Sequence, residues 1–437
     1  MTPVEIGALG FVVLFALLIL GLPIGFTLGL VGFLGMCVLF PFSAAMLKMA
    51  MVPFEIMSSY SLAVLPLFLF MANIVLVSGF GTDLFKVASK WLGHYRGGLA
   101  MATVLAASAF AACTGSAVVT AATMTLVALP EMKSRGYEPV FATGAVCAGG
   151  TIGALVPPSA AFIMYGILTE NSIGTLFVAA LIPAALTALS YLLTIYIQCL
   201  RKPERGPRIE KTPFLERVVS LKNCWEILFL ACFVFGGMVA GWFTATEAGA
   251  VGATGSTILA LIRRRLTLKK CYEAFSNTMK TSGLIYGILI GAFIFNYFCA
   301  KTTIPQAVSE WAGGLPVPSW VIICVITVIY LIMGALMDEP SIQVLTIPVF
   351  YPLVVHTLGY DPIWFGVIQI RLLEIGFIAP PVGMVCFVVA GMLKGEMSLQ
   401  DVYRGVMPFI YMEIITMPLF LFIPAISLWL PSVMAKM

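Results

Sequence analysis

Two short proline motifs are the residues of this sequence whose types and spacing indicate chemistry. The first, IGALVPP, spans 152–158, and the second, IGFIAPP, spans 375–381. Proline has no backbone N–H and clashes with the preceding turn, so each pair is predicted to break a helix and to free carbonyl groups. Carbonyl oxygens without a thiolate or an imidazole beside them suit Na⁺ or a similar hard cation.

Each proline motif follows a charge-poor segment that contains a polar turn. These turn residues are Thr114, Gly115 and Ser116 in the first half, and Asp338 and Glu339 in the second. We expect the carbonyls of 153–156 and of 376–379, around Pro157, Pro158, Pro380 and Pro381, to form two cation sites with the turns. The alternative interpretation is that both proline pairs are ordinary helix kinks. This interpretation is less favoured, because the two kinks occupy equivalent positions in the two halves, each beside a polar turn.

A constant offset relates the two motifs as copies of one repeat. The motifs are 223 residues apart, and GYEP at 136–139 matches GYDP at 359–362 at the same offset. Five predicted crossings separate the copies, and because that number is odd, the second copy is inverted. Inverted repeats with discontinuous helices near the membrane midplane are typical of secondary transporters.

The composition indicates a polytopic membrane protein that lacks the motifs of an enzyme. The chain has 437 residues, 61% hydrophobic and 10% charged, whereas soluble chains carry about 25% charged residues. The apolar runs 6–20 and 24–40 predict two membrane helices rather than a cleaved signal peptide. The ten cysteines read as small buried residues. His94 and His356 give no metal cluster, and no GxxxxGK[ST] motif for ATP is found.

Basic clusters set the predicted topology. Of the 24 basic residues, 20 lie at 86–96, 131–135, 201–222, 263–280 and 394–404, and placing all of these in the cytoplasm satisfies the positive-inside rule. Both termini then lie outside. The arms of segment 97–130 have about 15 residues each, roughly 22 Å, which is shorter than a hydrocarbon core of about 30 Å.

Two re-entrant hairpins, at 97–130 and 315–356, and two discontinuous helices, at 139–168 and 362–393, are therefore predicted. Segment 200–223 reads as the linker between the halves. Segments 83–92 and 269–277 are basic and amphipathic, so they are predicted to lie along the inner interface. The predicted fold class is an all-α polytopic membrane protein with an inverted repeat.

Isolated charged residues within apolar segments are the remaining candidates for functional residues. Arg371 and Glu374 are three residues apart on one predicted helix; they either neutralise each other or place a charge near an anionic substrate. Glu247 follows Thr246 at a predicted outer turn, where an N-terminal helix cap is the simpler interpretation.

Long stretches of the sequence resemble the large membrane subunit of TRAP (tripartite ATP-independent periplasmic) transporters. The residues that carry this resemblance are LPLFLFMANIVLVSG (65–79), TGSAVVTAATMTLVALPEMKSRGY (114–137), GGTIGALVPPSAAFIMYGILTENSIGTLFVAALIP (149–183), GWFTATEAGAVG (241–252) and IGFIAPPVG (375–383). The resemblance implies an elevator-type transporter in the bacterial inner membrane. It also implies a small membrane subunit of about four helices, a soluble periplasmic binding protein that delivers an organic acid, and uptake driven by two or more Na⁺ ions.

The resemblance also implies site residues and domains. Ion ligands are expected at Thr114, Ser116, Gly153, Val156 and Pro158, and at Gly334, Asp338, Gly376, Ala379 and Pro381; Ser159, Arg371 and Glu374 are substrate candidates. The transport domain comprises 97–168 and 315–393, and the scaffold comprises 1–96, 169–314 (with the arm at 263–280) and 394–437. Ala117, Ala379 and Val385 stand where the family often has Ser, Thr and Asn, so the second site is the less secure.

Two rival functions remain. One is a stand-alone Na⁺/dicarboxylate symporter of the same superfamily, which needs no binding protein. The other is a cation/proton antiporter in which Asp338, Glu339 or Glu374 titrates. A membrane anchor without transport activity would leave the inverted repeat unexplained.

Overall fold

The computed structural model describes residues 1–434, and within that range it consists of helices joined by turns, with no strand. Seven of these helices are long and apolar enough to cross a membrane, or eight if the bent pair 214–223 and 225–239 counts as one span. The all-helical membrane fold is thereby confirmed. Residues 435–437 of the predicted segment 394–437 lie outside the described part.

The helices are numbered here in chain order. In the first half they are α1 (Pro3–Ile19), α2 (Ile24–Leu39), α3 (Phe42–Ser58), α4 (Val64–Val77), α5 (Phe80–Leu92), α6 (Gly98–Thr114), α7 (Ala117–Ser134), α8 (Pro139–Leu155), α9 (Ala160–Thr169) and α10 (Ile173–Arg201). In the second half they are α11 (Phe214–Ser220), α12 (Trp225–Val239), α13 (Ala245–Ile262), α14 (Leu268–Thr302), α15 (Ile304–Gly313), α16 (Ser319–Leu336), α17 (Glu339–Tyr351), α18 (Pro362–Gly376), α19 (Met384–Met392), α20 (Leu399–Phe422) and α21 (Ala425–Met434).

The first hairpin consists of α6 and α7, joined by Gly115 and Ser116. Helix α8 packs against both arms through small residues: a Cβ built at Gly149 would lie 3.4 Å from Cβ of Ala107 in α6, and one at Gly150 would lie 2.4 Å from Cβ of Ala121 in α7. The first break, residues 156–159, separates α8 from α9. Small residues at these contacts allow three helix backbones to approach closely.

The second hairpin consists of α16 and α17, joined by Met337 and Asp338, and a π-helical turn at Pro352–Thr357 follows. The second break, residues 377–383, separates α18 from α19. The order of hairpin and broken helix thus recurs in both copies of the repeat. The helix breaks at both proline pairs are confirmed, whereas the depth of the two hairpin turns in the membrane stays a prediction.

Three predicted segments differ from the structure in their limits. Segment 269–277 is part of the 35-residue helix α14, because neither a proline nor a residue with positive φ interrupts the chain before the following span. The predicted span 408–430 is divided into α20 and α21, with Pro424 between them. The arms of the first hairpin contain 17 and 18 residues, which is longer than expected, and those of the second contain 18 and 13.

Close packing of α2 on α14 joins distant parts of the chain. A Cβ built at Gly32 would lie 2.8 Å from both the Cα and the nitrogen of Phe295, and one at Gly25 would lie 2.8 Å from the carbonyl oxygen of Gly287. Lipid tails are as apolar as leucine, so the attraction between these helices comes from close backbone contact rather than from hydrophobicity. This contact requires glycine.

Gly32→Ala is expected to lower the stability of the purified protein by about 1–3 kcal/mol, because the new methyl group meets backbone that cannot rotate away. Gly236→Ala in α12 is the matched control, since nothing lies within 4 Å of a Cβ at that position. Thermal unfolding in detergent measures both variants. Equal melting temperatures for the two would show that α2 and α14 do not pack as described.

Candidate ion and substrate site

The turn of the first hairpin contacts the first break directly. A Cβ built at Gly115 would lie 2.0 Å from the carbonyl oxygen of Pro158, and one at Gly153 would lie 2.6 Å from the carbonyl oxygen of Ser116. The N–H of Ala160 donates to the carbonyl of Gly115 at 3.4 Å. The structure therefore brings together two regions that are about 40 residues apart in sequence and were predicted to share a site.

Local capping explains why the chain takes this shape. Gly115 has φ of 57°, in the left-handed region, and Ser116 then caps α7 by accepting from the N–H of Val119 at 3.5 Å. Ser159 caps α9 by accepting from the N–H of Ala161 at 3.2 Å. Two capped helix N-termini thus lie beside the first break, where their partial positive charge favours anions.

Oxygen atoms line the same region. Pro157 and Pro158 have no N–H to donate to the carbonyls of Gly153 and Ala154. Thr114 is buried, and its hydroxyl lies 3.0 Å from that of Thr120; the Thr120 oxygen is 2.9 Å from a Cβ built at Gly153. Carbonyl and hydroxyl oxygens of this kind are the ligands that a hard cation prefers.

The second hairpin contacts the second break in a comparable way. A Cβ built at Gly376 would lie 2.5 Å from Cα of Gly334, and the N–H of Gly383 donates to the carbonyl of Ala335 at 3.2 Å. Gly383 has φ of 50°, which directs the chain into α19. The predicted partners Gly334 and Gly376 are therefore neighbours.

The second break differs from the first in its hydrogen bonds and exposure. The Gly376 carbonyl accepts from the N–H of Ala379 at 3.0 Å, and the Phe377 carbonyl accepts from that of Val385 at 3.0 Å. Pro380 and Pro381 are exposed, whereas Pro157 and Pro158 are buried. Fewer carbonyls are therefore free here than the proline pair suggested.

Asp338 lies at the turn of the second hairpin and is half-buried. Its carboxylate accepts a hydrogen bond from the Ser341 hydroxyl at 2.5 Å, one helical turn further along α17. This contact is local and orders the start of the helix. A ligand role for Asp338 stays a prediction.

Side-chain contacts connect each hairpin with a part of the chain that is distant in sequence. The Gln343 side-chain amide of α17 donates to the carbonyl of Ala161 at 3.1 Å, just after the first break. Near the end of α7, Lys133 Nζ lies 2.5 Å from Oε2 of Glu396, which is in the segment between α19 and α20. The hydrogen bond and charge of Lys133 lower the pKa of Glu396. The second hairpin thus contacts the first copy of the repeat, and the first hairpin contacts the segment that follows α19.

Arg371 and Glu374 form the predicted ion pair, with the guanidinium donating to Glu374 Oε2 at 2.7 Å. Arg371 also binds Glu413 of α20, and all three side chains are 0% exposed. With its charge already met by two carboxylates, Arg371 is not placed to contact a substrate, so the substrate interpretation of Arg371 and Glu374 finds no support here. Glu413 was missed, although it is the one charged residue between 405 and 434.

Glu247 is part of a helix cap, as the simpler interpretation predicted. Its carboxylate accepts from the N–H of Thr244 at 2.8 Å, while the Thr244 hydroxyl accepts from the N–H of Glu247 at 3.3 Å. These bonds form a capping box at the start of α13.

A solved structure shares this fold. The YdaH transporter of Alcanivorax borkumensis matches with a TM-score of 0.59 at 14% sequence identity, over 84% of this chain and 86% of that one. At this identity the match establishes the fold alone. It agrees with the helical membrane architecture described above.

Sequence comparisons identify the family. The model of the tripartite ATP-independent periplasmic transporter, DctM component, matches residues 11–426. The C4-dicarboxylate TRAP transporter large permease protein DctM of Pseudomonas aeruginosa is 33% identical over 407 residues, which cover 93% of this chain and 94% of that protein. The 2,3-diketo-L-gulonate TRAP transporter large permease protein YiaN of Escherichia coli is also 33% identical over 407 residues, with the same two coverages. This chain therefore belongs to the DctM family, the large membrane permeases of TRAP transporters.

Proposed function

We propose that this permease takes up an organic acid together with two or more Na⁺ ions. The observation that carries the proposal is the contact of each hairpin with a broken helix. The turn residue Gly115 lies against Pro158 of the first break, and Gly334 of α16 lies against Gly376 at the end of α18. The first contact gathers the backbone oxygens of Ser116 and Pro158 in an apolar surrounding, which is the setting in which transporters bind Na⁺. The first site is the better supported, because its carbonyls lack N–H partners.

The substrate class follows from the helix ends beside those breaks. The N-terminus of α9, capped by Ser159, supplies partial positive charge, so an anion is favoured between the hairpins. The relatives named above transport C4-dicarboxylates and 2,3-diketo-L-gulonate according to their names, and both are carboxylic acids. Ser159 is the substrate contact that we retain.

The proposed mechanism is an elevator. The two hairpins and the two broken helices move as one unit against the remaining helices, and a small four-helix membrane subunit extends that scaffold. A periplasmic binding protein delivers the acid. We include α20 in the moving unit, because separating it from α18 would break the buried pair of Arg371 and Glu413, at a cost of roughly 3–5 kcal/mol.

Uptake is expected to require Na⁺ and the binding protein. The permease and its small subunit are reconstituted in proteoliposomes, and uptake of a radiolabelled C4-dicarboxylate is measured with its binding protein outside. Replacing Na⁺ by choline, at constant pH and membrane potential, should abolish uptake, and initial rates should rise with Na⁺ concentration with a Hill coefficient above one. Unchanged uptake in choline would refute Na⁺ coupling.

The same experiment separates the alternatives. A stand-alone symporter would transport the acid at the same rate without the binding protein. A cation/proton antiporter would show cation flux driven by a pH difference in the absence of any acid. If other acids but no C4-dicarboxylate are transported, the proposed mechanism stands and the substrate is a different carboxylate.

A further inference from the structure

A cleft of about 470 Å³ lies between α5, the end of α7 and the linker that follows α10. All three elements carry the basic clusters that the positive-inside rule places in the cytoplasm. Backbone hydrogen bonds hold the linker against the end of α5: the N–H of Ile209 donates to the carbonyl of Gly93 at 2.9 Å, and the N–H of Gly97 donates to that of Gly206 at 2.9 Å. The walls of the cleft are therefore fixed by the fold.

The polar wall of the cleft is basic. Lys86 and Lys90 of α5 line it one helical turn apart, and neither belongs to an ion pair within residues 1–434. Glu131 also lines the cleft, but it accepts a hydrogen bond from Arg135 at 3.1 Å, so its charge is already met. The remaining carboxylate among the described lining residues is that of the exposed Glu210.

A buried guanidinium lies behind this wall. Arg217 of α11 is 8% exposed; its Nε donates to the carbonyl of Thr212 at 2.8 Å, and its carbonyl accepts from the Ser220 hydroxyl at 2.6 Å. Both Thr212 and Ser220 line the cleft. Arg217 Nη2 is buried and has no hydrogen-bond partner among the described residues. Because an unpaired buried charge is costly, an anion in the cleft would be stabilised by Arg217.

The other wall of the cleft is apolar, and lipid is close by. Phe85, Leu99 and Val127 line this wall. The segment 214–223, which contains α11, is bent by 62° from the span 225–239. It exposes Phe214 and Leu215 by 72% and 75%, while the charged side chain of α11 described above is buried. A short helix with this pattern lies in the membrane interface, so the cleft is at the level of the lipid headgroups.

We propose that this cleft binds an anionic phospholipid of the inner leaflet. The phosphate lies against Lys86 and Lys90, with the charge of Arg217 behind it, and the first carbons of an acyl chain pack on Phe85 and Val127. Basic pockets between membrane helices on the cytoplasmic side bind lipid headgroups by the same attraction. The proposal does not depend on Na⁺ coupling or on the elevator.

Both walls are needed to select this ligand. A soluble anion gains nothing from the apolar wall, because only a molecule with an acyl chain covers it. A zwitterionic lipid covers the apolar wall but leaves the positive charges of Lys86, Lys90 and Arg217 opposed by Glu210 alone. An anionic phospholipid satisfies both walls at once.

Native mass spectrometry tests the proposal on the purified permease with its small subunit. The delipidated complex in detergent is titrated with phosphatidylglycerol, or with phosphatidylcholine that has the same acyl chains. The wild type should retain phosphatidylglycerol at concentrations at which phosphatidylcholine is not retained. Lys86→Gln/Lys90→Gln should bind phosphatidylglycerol about tenfold more weakly, because two charges that attract the phosphate are removed.

Arg201→Gln/Lys202→Gln is the matched control. It also removes two positive charges from the same side of the protein, but neither residue lines the cleft, so binding of phosphatidylglycerol should be unchanged. All four substituted side chains are exposed, and therefore neither double variant disturbs the packing. Melting temperatures give a second readout: phosphatidylglycerol should stabilise the wild type and the control more than Lys86→Gln/Lys90→Gln.

Three results would overturn the proposal. The two double variants could bind phosphatidylglycerol equally well. The wild type could retain phosphatidylcholine as tightly as phosphatidylglycerol. Inorganic phosphate at millimolar concentration could displace the lipid from the wild type, which would make the cleft a site for soluble anions instead.

Discussion

Gly115→Ala is expected to reduce substrate uptake by about tenfold or more, which corresponds to ~1.4 kcal/mol or more. The added methyl group would lie 2.0 Å from the Pro158 carbonyl oxygen, so the hairpin turn must withdraw from the first break. The carbonyl oxygens there would then no longer face the turn, and the proposed Na⁺ site would lose ligands on one side. The reconstituted uptake assay measures the rate, and its Na⁺ dependence shows whether the half-saturating Na⁺ concentration has risen.

Gly136→Ala is the matched control for this substitution. Gly115 and Gly136 both have positive φ, 57° and 77°, so alanine costs roughly 1–2 kcal/mol of backbone strain at either position. Nothing lies within 4 Å of a Cβ at Gly136. A loss of uptake in both variants would indicate general backbone strain, whereas a loss in Gly115→Ala alone would indicate the contact between the turn and the break.

Residue types predicted the helix breaks and their partners, because the physics there is local. A pair of prolines breaks a helix wherever it occurs, and the common offset of 223 residues shows that both breaks belong to one repeated unit. The hairpins followed from the lengths of segments without charge. This reasoning identified Gly115, Gly153 and Gly376, and the family resemblance added Gly334; the structure places all four at the contacts.

Partners that are distant in sequence could not be predicted in the same way. Glu413 stands alone in an apolar segment, which marks it as unusual. Which residue meets it depends, however, on the packing of α20 against α18. Arg371 lies three residues before Glu374 on the same predicted helix, so the sequence indicated that these two charges neutralise each other. The surplus negative charge becomes visible only when all three side chains are placed together.

The difference between the two breaks also depends on tertiary contacts. The two proline motifs share their Ile-Gly and Pro-Pro pairs, yet residues 380–382 of the second break are exposed and its carbonyls are largely bonded. The Tyr403 hydroxyl of α20 lies 2.7 Å from the carbonyl oxygens of both Pro381 and Val382. Because Tyr403 is more than 20 residues beyond the motif, the local pattern could not reveal this bond.

A disulfide between α5 and α7 is expected to stop transport. A Cβ built at Gly81 in the predicted scaffold arm would lie 2.9 Å from Cγ2 of Thr123 in the first hairpin, so the pair Gly81→Cys/Thr123→Cys is close enough to be joined with small adjustments. If the hairpin moves past the arm as part of a rigid unit, oxidation should reduce uptake to background. Reduction should restore it. The exposed Cys232 is replaced by serine in all variants.

The pair Ala107→Cys/Gly149→Cys tests the rigidity of the unit itself. A Cβ built at Gly149 would lie 3.4 Å from Cβ of Ala107, and both residues belong to the proposed moving unit, one in the first hairpin and one in α8. Their disulfide should therefore leave uptake nearly unchanged in the oxidised state. If it blocks uptake as completely as the pair between α5 and α7, the hairpin must move against the broken helix during transport. Local gating by the hairpin would then explain alternating access better than an elevator.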